Sequence, residues 1–218
     1  SFPTRRSSDL DEVDDFVALA DRLDIEAFDT LGFSGGGPHA LACAALAPHR
    51  VRRVGLVGSW APFHLAGRDG MAEGFRQLWA LAETDFPAFE EALEGAVAQA
   101  GSAYDLLLGG APDSDRAILQ AEHVADAYRR DTDEAMRQSF AGMFEDAHAV
   151  IAPWGFSIAA VDQPVGLWHG DADGNAPVGM GRWLARELPD ATLTEWPGAA
   201  HFEALRRWDE VLDGHVRN

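Results

Sequence analysis

Lysine is absent from this 218-residue chain, and all 17 basic residues are arginines. That bias points to a GC-rich coding genome and says nothing of mechanism. Against 36 carboxylates these arginines leave a formal charge of −19. Such a balance excludes the basic stripe that nucleic acid requires and instead favours solubility. Cysteine occurs once, at Cys43, which excludes an internal disulfide. Cys43 reads as a small packing residue, and the compartment reads as reducing, hence cytoplasmic. There is no apolar run long enough to span a membrane and no internal repeat. Neither H-x-x-E-H nor C-x-x-C spacing occurs, so no metal site is expected.

What is present is an ordinary globular composition, 47% hydrophobic. Residues 1–10 stand apart from it, being polar and locally basic. They lack the apolar centre of a signal peptide. Their sequence matches the translation of a common sequencing-adapter oligonucleotide, so they are expected to be a non-native segment that packs against nothing. From Asp11 to Leu23, the apolar residues Val13, Phe16, Val17, Ala20 and Leu23 are spaced for one face of a helix. A short apolar strand over Ala27–Leu31 follows. Next comes Gly32-Phe33-Ser34-Gly35-Gly36, a G-x-S-x-G pattern, and then an Ala/Leu-rich helix over His39–Ala47, stopped by Pro48. A serine on so tight a strand-to-helix turn projects its hydroxyl above the sheet. Gly32 and Gly36 are both expected to be required, because a side chain at either would clash with the turn.

A serine hydroxyl is too weak an acid to act alone. It needs a histidine to take its proton and a carboxylate to hold that histidine's tautomer. The C-terminal third supplies both. A strand over Pro164–His169 leads into the turn Gly170-Asp171-Ala172-Asp173-Gly174-Asn175-Ala176-Pro177. A helix over Val178–Leu188, a strand over Ala191–Trp196 and the loop Pro197-Gly198-Ala199-Ala200-His201-Phe202 follow. Both Asp171 and Asp173 are open to the acid role, and Asp171 also reads as a turn residue bonding nearby backbone. His169 reads as a packing residue, and His39, one turn after Ser34, as a residue adjoining the site.

These three motifs, in the order Ser, acid, His, resemble those of the α/β-hydrolase family. The resemblance runs from about Asp11 to the end. It implies a parallel sheet flanked by helices, with Ser34 as nucleophile, Asp173 as acid, His201 as base and the Gly35 N–H in the oxyanion hole. It implies no cofactor, and a small-molecule ester, amide or related acyl substrate. Ser at the turn, rather than Asp, disfavours the dehalogenase and epoxide-hydrolase branches. A peptidase of the proline-iminopeptidase type stays open, with Glu73, Glu83 or Asp85 to hold a substrate amine. So does a non-catalytic binding protein on the same fold.

The resemblance also divides the chain. Residues 11–58 and 164–218 correspond to the hydrolase core. Beyond a strand over Val51–Gly58, residues 59–163 offer no convincing strand and far exceed the ~30 residues of a simple βαβ unit. They are expected to form a helical lid, with helices over Gly70–Glu83, Asp85–Gln99, Asp115–Arg130 and Asp133–Phe144. Phe75, Leu78, Trp79, Phe86, Phe89, Met136, Phe140 and Met143 read mainly as the insertion's own core. Trp60 and Phe63, directly after the strand, are expected to line the substrate pocket. The family's strands before Asp11 are not in this sequence, so the isolated chain is expected to be poorly behaved and inactive.

Overall fold

The computed structural model describes residues 9–217. Of the proposed non-native segment, residues 1–8 lie outside the described residues, and Asp9 and Leu10 open the first helix, α1 (Asp9–Arg22). Then come β1 (Phe28–Phe33), α2 (Gly36–Leu46), β2 (Val51–Val57) and a one-turn helix α3 (Phe63–Ala66). Six further helices follow: α4 (Glu73–Thr84), α5 (Phe86–Ala100), α6 (Ala103–Gly110), α7 (Asp113–Leu119), α8 (Glu122–Ala135) and α9 (Ala141–Ile151). The chain ends with β3 (Val165–Gly170), α10 (Val178–Glu187), β4 (Ala191–Trp196), a 3₁₀ turn over His201–Arg206 and α11 (Trp208–Arg217).

The four strands form one sheet in the order β1-β2-β3-β4, with every neighbouring pair parallel. The two central strands are covered on both faces, which is why they read as apolar runs rather than alternating ones. β2 is buried at Val51 and from Val54 to Val57, and β3 is buried at Val165 and from Leu167 to Gly170. α2 is apolar almost all round because it is enclosed, with Ala40 to Ala44 all buried. On the other side, Val211 of α11 joins Val57, Trp168 and Trp196 in one cluster. The register sets Phe33 beside Val57, Val57 beside Trp168, and Gly170 beside Trp196. All four strands therefore end at one edge, and the loops after residues 33, 57, 170 and 196 emerge there together.

α1 packs against α2. Val13 and Ala20 are buried by it, but Phe16, Leu19 and Leu23 are exposed. The apolar face anticipated over Val13–Leu23 is thus covered along one side, because among the described elements only α2 abuts it extensively.

The described residues divide into two compact units, one of residues up to 71 together with those from 152 onward, and one of residues 72–151. The second is helical throughout. Its core is aromatic: Trp79 stacks on Phe89 at 5.9 Å between centroids, and Phe86 and Phe144 meet the same ring at 5.3 and 6.0 Å. Its helices differ from the periodicity reading in several places: α6 lies where no helix was expected, and α9 runs on to Ile151. The stretch Asp115–Arg130 is two helices, α7 and α8, and at the break the buried Tyr104 hydroxyl donates to the Leu119 carbonyl at 2.9 Å. The stretch Asp133–Phe144 spans the end of α8 and the start of α9, where the Ser139 hydroxyl accepts from the Ala141 N–H at 3.2 Å. Trp60 and Phe63 belong to the sheet-bearing unit.

Candidate active site

The edge where the strands end carries the residues of chemical interest. Ser34 sits between β1 and α2 with φ +55°, a left-handed conformation that a side chain adopts only at a cost of roughly 1–2 kcal/mol. Backbone bonds hold it there. Its N–H donates to the Val57 carbonyl at 2.9 Å, and its carbonyl accepts from Gly37 N–H at 3.1 Å. The turn closes because Gly32 has no side chain. A Cβ there would lie 2.3 Å from the Gly36 carbonyl oxygen and 2.6 Å from the Gly37 Cα, both rigid backbone.

The expectation for Gly36 is corrected. A Cβ on Gly36 would meet nothing within 4 Å, whereas one on Gly37 would lie 1.8 Å from the Ser59 Oγ. In the first turn of α2 the side of residue 36 faces open space and that of residue 37 faces β2's continuation. The crowding at Gly36 involves its carbonyl, not its side-chain position.

Gly35 caps the N-terminus of α2, where the helix dipole and unpaired N–H groups favour negative charge. The Trp60 ring lies over it, 3.1 Å from where a Gly35 Cβ would be. Trp60 in turn meets Phe63 edge-on at 5.8 Å.

Asp173 and His201 are brought together. His201 Nδ1 lies 2.7 Å from Asp173 Oδ2, and both side chains are almost wholly buried. A carboxylate can only accept, so Nδ1 carries the proton and Nε2 is left as the basic nitrogen. The other oxygen, Asp173 Oδ1, accepts from the N–H groups of Asn175 and Ala176, each at 2.8 Å. Gly58, at the end of β2, backs onto this pair: a Cβ there would lie 3.3 Å from both Asp173 Oδ2 and His201 Nδ1. Phe33, the residue before Ser34, stacks on the His201 ring with centroids 4.8 Å apart. The ends of β1, β2 and β3 therefore all contribute to the setting of one imidazole.

Asp171 is elsewhere. It is exposed, and its Oδ1 accepts from Gly198 N–H at 2.6 Å, tying the acid loop to the loop that leads to His201. His169 is buried, with Nε2 2.6 Å from the Ala176 carbonyl oxygen. Burial holds its pKa below the usual histidine value, so the ring is neutral and donates to that carbonyl through Nε2–H. Sequence reasoning gave His169 only a packing role and passed over Phe33 and Gly58. A glycine directly after a buried strand was the one available signal for Gly58.

Of the carboxylates considered for an amine site, Glu73 is bound to Arg76 and Gln77, which hold its carboxyl below the usual range. Asp85 accepts from Ala88 N–H as the cap of α5. Among the described residues no group of three or more His, Cys, Asp or Glu side chains is arranged to hold a metal ion. Among the described residues no helix is long and apolar enough to cross a membrane.

Comparison with known proteins identifies the family. The α/β hydrolase fold family model matches residues 2–205. A pimeloyl-[acyl-carrier protein] methyl ester esterase of Chromobacterium violaceum is 30% identical over 198 residues, covering 90% of this chain and 70% of that protein. The enzyme of the same description from Aromatoleum aromaticum is 26% identical over 183 residues, covering 80% of this chain and 66% of its own length. Among solved structures, an enol-lactonase from Burkholderia xenovorans superposes with TM-score 0.67 at 21% identity, covering 99% of this chain and 74% of its own. A bromoperoxidase from Bacillus anthracis gives 0.68 at 16%, covering 100% and 77%. These two likenesses speak for the fold. The chain belongs to the α/β-hydrolase family of enzymes.

Proposed function

We propose that the chain is a serine esterase acting on a small-alcohol ester of an acyl group. The observation that carries this reading is the buried 2.7 Å bond between Asp173 Oδ2 and His201 Nδ1, which leaves Nε2 as base at the strand edge that also bears Ser34. Ser34 Oγ attacks the ester carbonyl carbon while His201 Nε2 takes its proton. The oxyanion that develops is met by the Gly35 N–H at the head of α2. Collapse expels the alcohol, which leaves with the proton from His201. Water then repeats the sequence on the acyl-enzyme and returns Ser34. Trp60 and Phe63 are assigned to the acyl-binding wall, since Trp60 lies directly over Gly35.

Two curated relatives that act on methyl esters favour an ester over an amide. The peptidase alternative loses support at two of its three carboxylates, because Glu73 and Asp85 already have partners close by in the chain, and rests on Glu83. Cys43, buried in α2 and in no disulfide, suits a reducing compartment.

Hydrolysis of p-nitrophenyl butyrate and of methyl esters, by a protein completed with the family's upstream strands and by its Ser34→Ala variant, tests the reading. The variant is expected to lose about three to six orders of magnitude in kcat. Comparable hydrolysis by the two proteins would overturn it.

A further inference from the structure

We infer that His169 is a positioning residue for Asp173, acting through both polar groups of Ala176; this rests on Asp173 serving as the acid of the proposed esterase. The His169 Nε2–H donates to the Ala176 carbonyl at 2.6 Å. The N–H of that same residue donates to Asp173 Oδ1 at 2.8 Å, and the opposite carboxylate oxygen receives the His201 Nδ1–H at 2.7 Å. A single path of three bonds thus runs from His169 to the base. Ala176 is fully buried, so its carbonyl has no access to water. It precedes Pro177, the cap of α10, whose ring offers no N–H and fixes the backbone direction there. Without His169 this carbonyl would be a buried acceptor with no donor, and the cheapest remedy is for residue 176 to rotate toward water. That rotation withdraws its N–H from Asp173.

The fit of the histidine is close on its other side too. A Cβ on Gly181 of α10 would lie 2.6 Å from His169 Nδ1, so the ring has no room to turn away from Ala176. The charged or titratable groups around it are Asp173, with an oxygen 3.9 Å from Nε2, together with His201 and Glu195. His169 does not bond Asp173 directly at that distance. Its effect is routed through the loop backbone, which separates it from a residue that touches substrate.

Three variants test this. His169→Gln keeps a side-chain N–H about where Nε2 stands, His169→Asn is polar but too short to reach Ala176, and His169→Leu has no donor. Each is assayed for kcat, KM and the pH dependence of kcat/KM. Each is also examined for the downfield proton resonance of His201 Nδ1–H, in the parent background and in Ser34→Ala. His169→Asn and His169→Leu are expected to lose about 10- to 100-fold in kcat with KM within about twofold. Their ascending pH limb should move to lower pH, because His201 loses carboxylate support. The resonance should weaken or shift upfield, and His169→Gln should restore all three readouts. An unshifted pH limb and resonance in His169→Asn would overturn the inference, as would failure of His169→Gln to recover relative to Asn. The resonance does not depend on turnover. It therefore still decides the role of His169 if Ser34→Ala proves as active as the parent and the esterase reading falls.

Discussion

The turn that holds Ser34 and the loop that holds Asp173 lie at the same sheet edge but are built by different physics. Around Ser34 the geometry is set by backbone sterics: a strained φ of +55°, a Gly32 that admits no side chain, and main-chain bonds from Ser34 to Val57 and Gly37. Around Asp173 it is set by side chains bonding to backbone. Asp173 takes the N–H groups of Asn175 and Ala176, Asp171 takes that of Gly198, and His169 holds the Ala176 carbonyl. Gly170 adds a close approach to the Ala199 carbonyl, but the direction of the carboxylate comes from the polar bonds. Main-chain bonds hold the serine half in place, whereas titratable side chains hold the acid half. Volume changes should therefore break the first, and loss of charge or hydrogen bonds the second.

With Ser34 kept, the largest effect should come from the acid loop. Asp173→Asn keeps the shape but allows the His201 ring to take the wrong tautomer, and kcat should fall about 10⁴-fold with the melting temperature little changed. A fall of less than tenfold would mean that the polar loop is not what orients the base. Gly32→Ala should lower unfolding free energy by roughly 3 kcal/mol or more, since its methyl would meet the backbone of Gly36 and Gly37. Denaturant titration measures this, and a loss under about 1 kcal/mol would break the steric account.

The contrast also predicts a pH response. Burial holds the pKa of His169 and of His215 below the ordinary 6.5. The unfolded chain takes up these protons near pH 6.5 and the folded chain resists them. The corresponding stability is complete above that pH and is lost as pH falls toward the lowered folded values. Denaturation midpoints measured from pH 8 down to pH 5 should therefore decline below about 6.5, and His169→Gln should flatten part of that decline. A curve indifferent to that replacement would deny His169 its share.

Smaller effects complete the series. Asp171→Asn removes a charged acceptor from an exposed bond to Gly198 and should cost about 1 kcal/mol of stability, with kcat within about threefold of the parent. A loss of kcat as large as that of Asp173→Asn would reverse the roles of the two carboxylates. Gly36→Ala should change stability by no more than about 1 kcal/mol, in the stabilising direction, because its Cβ enters open space in a helix.

Much of the sheet-bearing unit was legible in the sequence, because a parallel strand covered on both faces has to be an apolar run and a nucleophile turn has to carry glycine before its serine. Spacing alone left Asp171 and Asp173 equal; the resemblance to a family's loop separated them, and it is Asp173 that bonds His201. What stayed hidden depends on contacts between residues distant in the chain. Gly36 and Gly37 are indistinguishable in a list, and only the place of Ser59 makes the second one tight. At the break between α7 and α8 the Leu119 carbonyl accepts from a Tyr104 hydroxyl fifteen residues upstream. His169 looked like packing because its partner, Ala176, is an apolar residue whose only polar groups are in its backbone.

The central claim is that a serine held by strained backbone forms a covalent bond with the acyl group. Its most direct test is rapid acid quench of the protein mixed with a slowly hydrolysed ester, followed by intact-mass and peptide mass spectrometry. The account predicts a mass gain equal to the acyl group on the peptide containing Ser34, which accumulates in His201→Ala only slowly and is absent from Ser34→Ala. Ester turnover with no adduct, or an adduct on another residue that persists in Ser34→Ala, would contradict it.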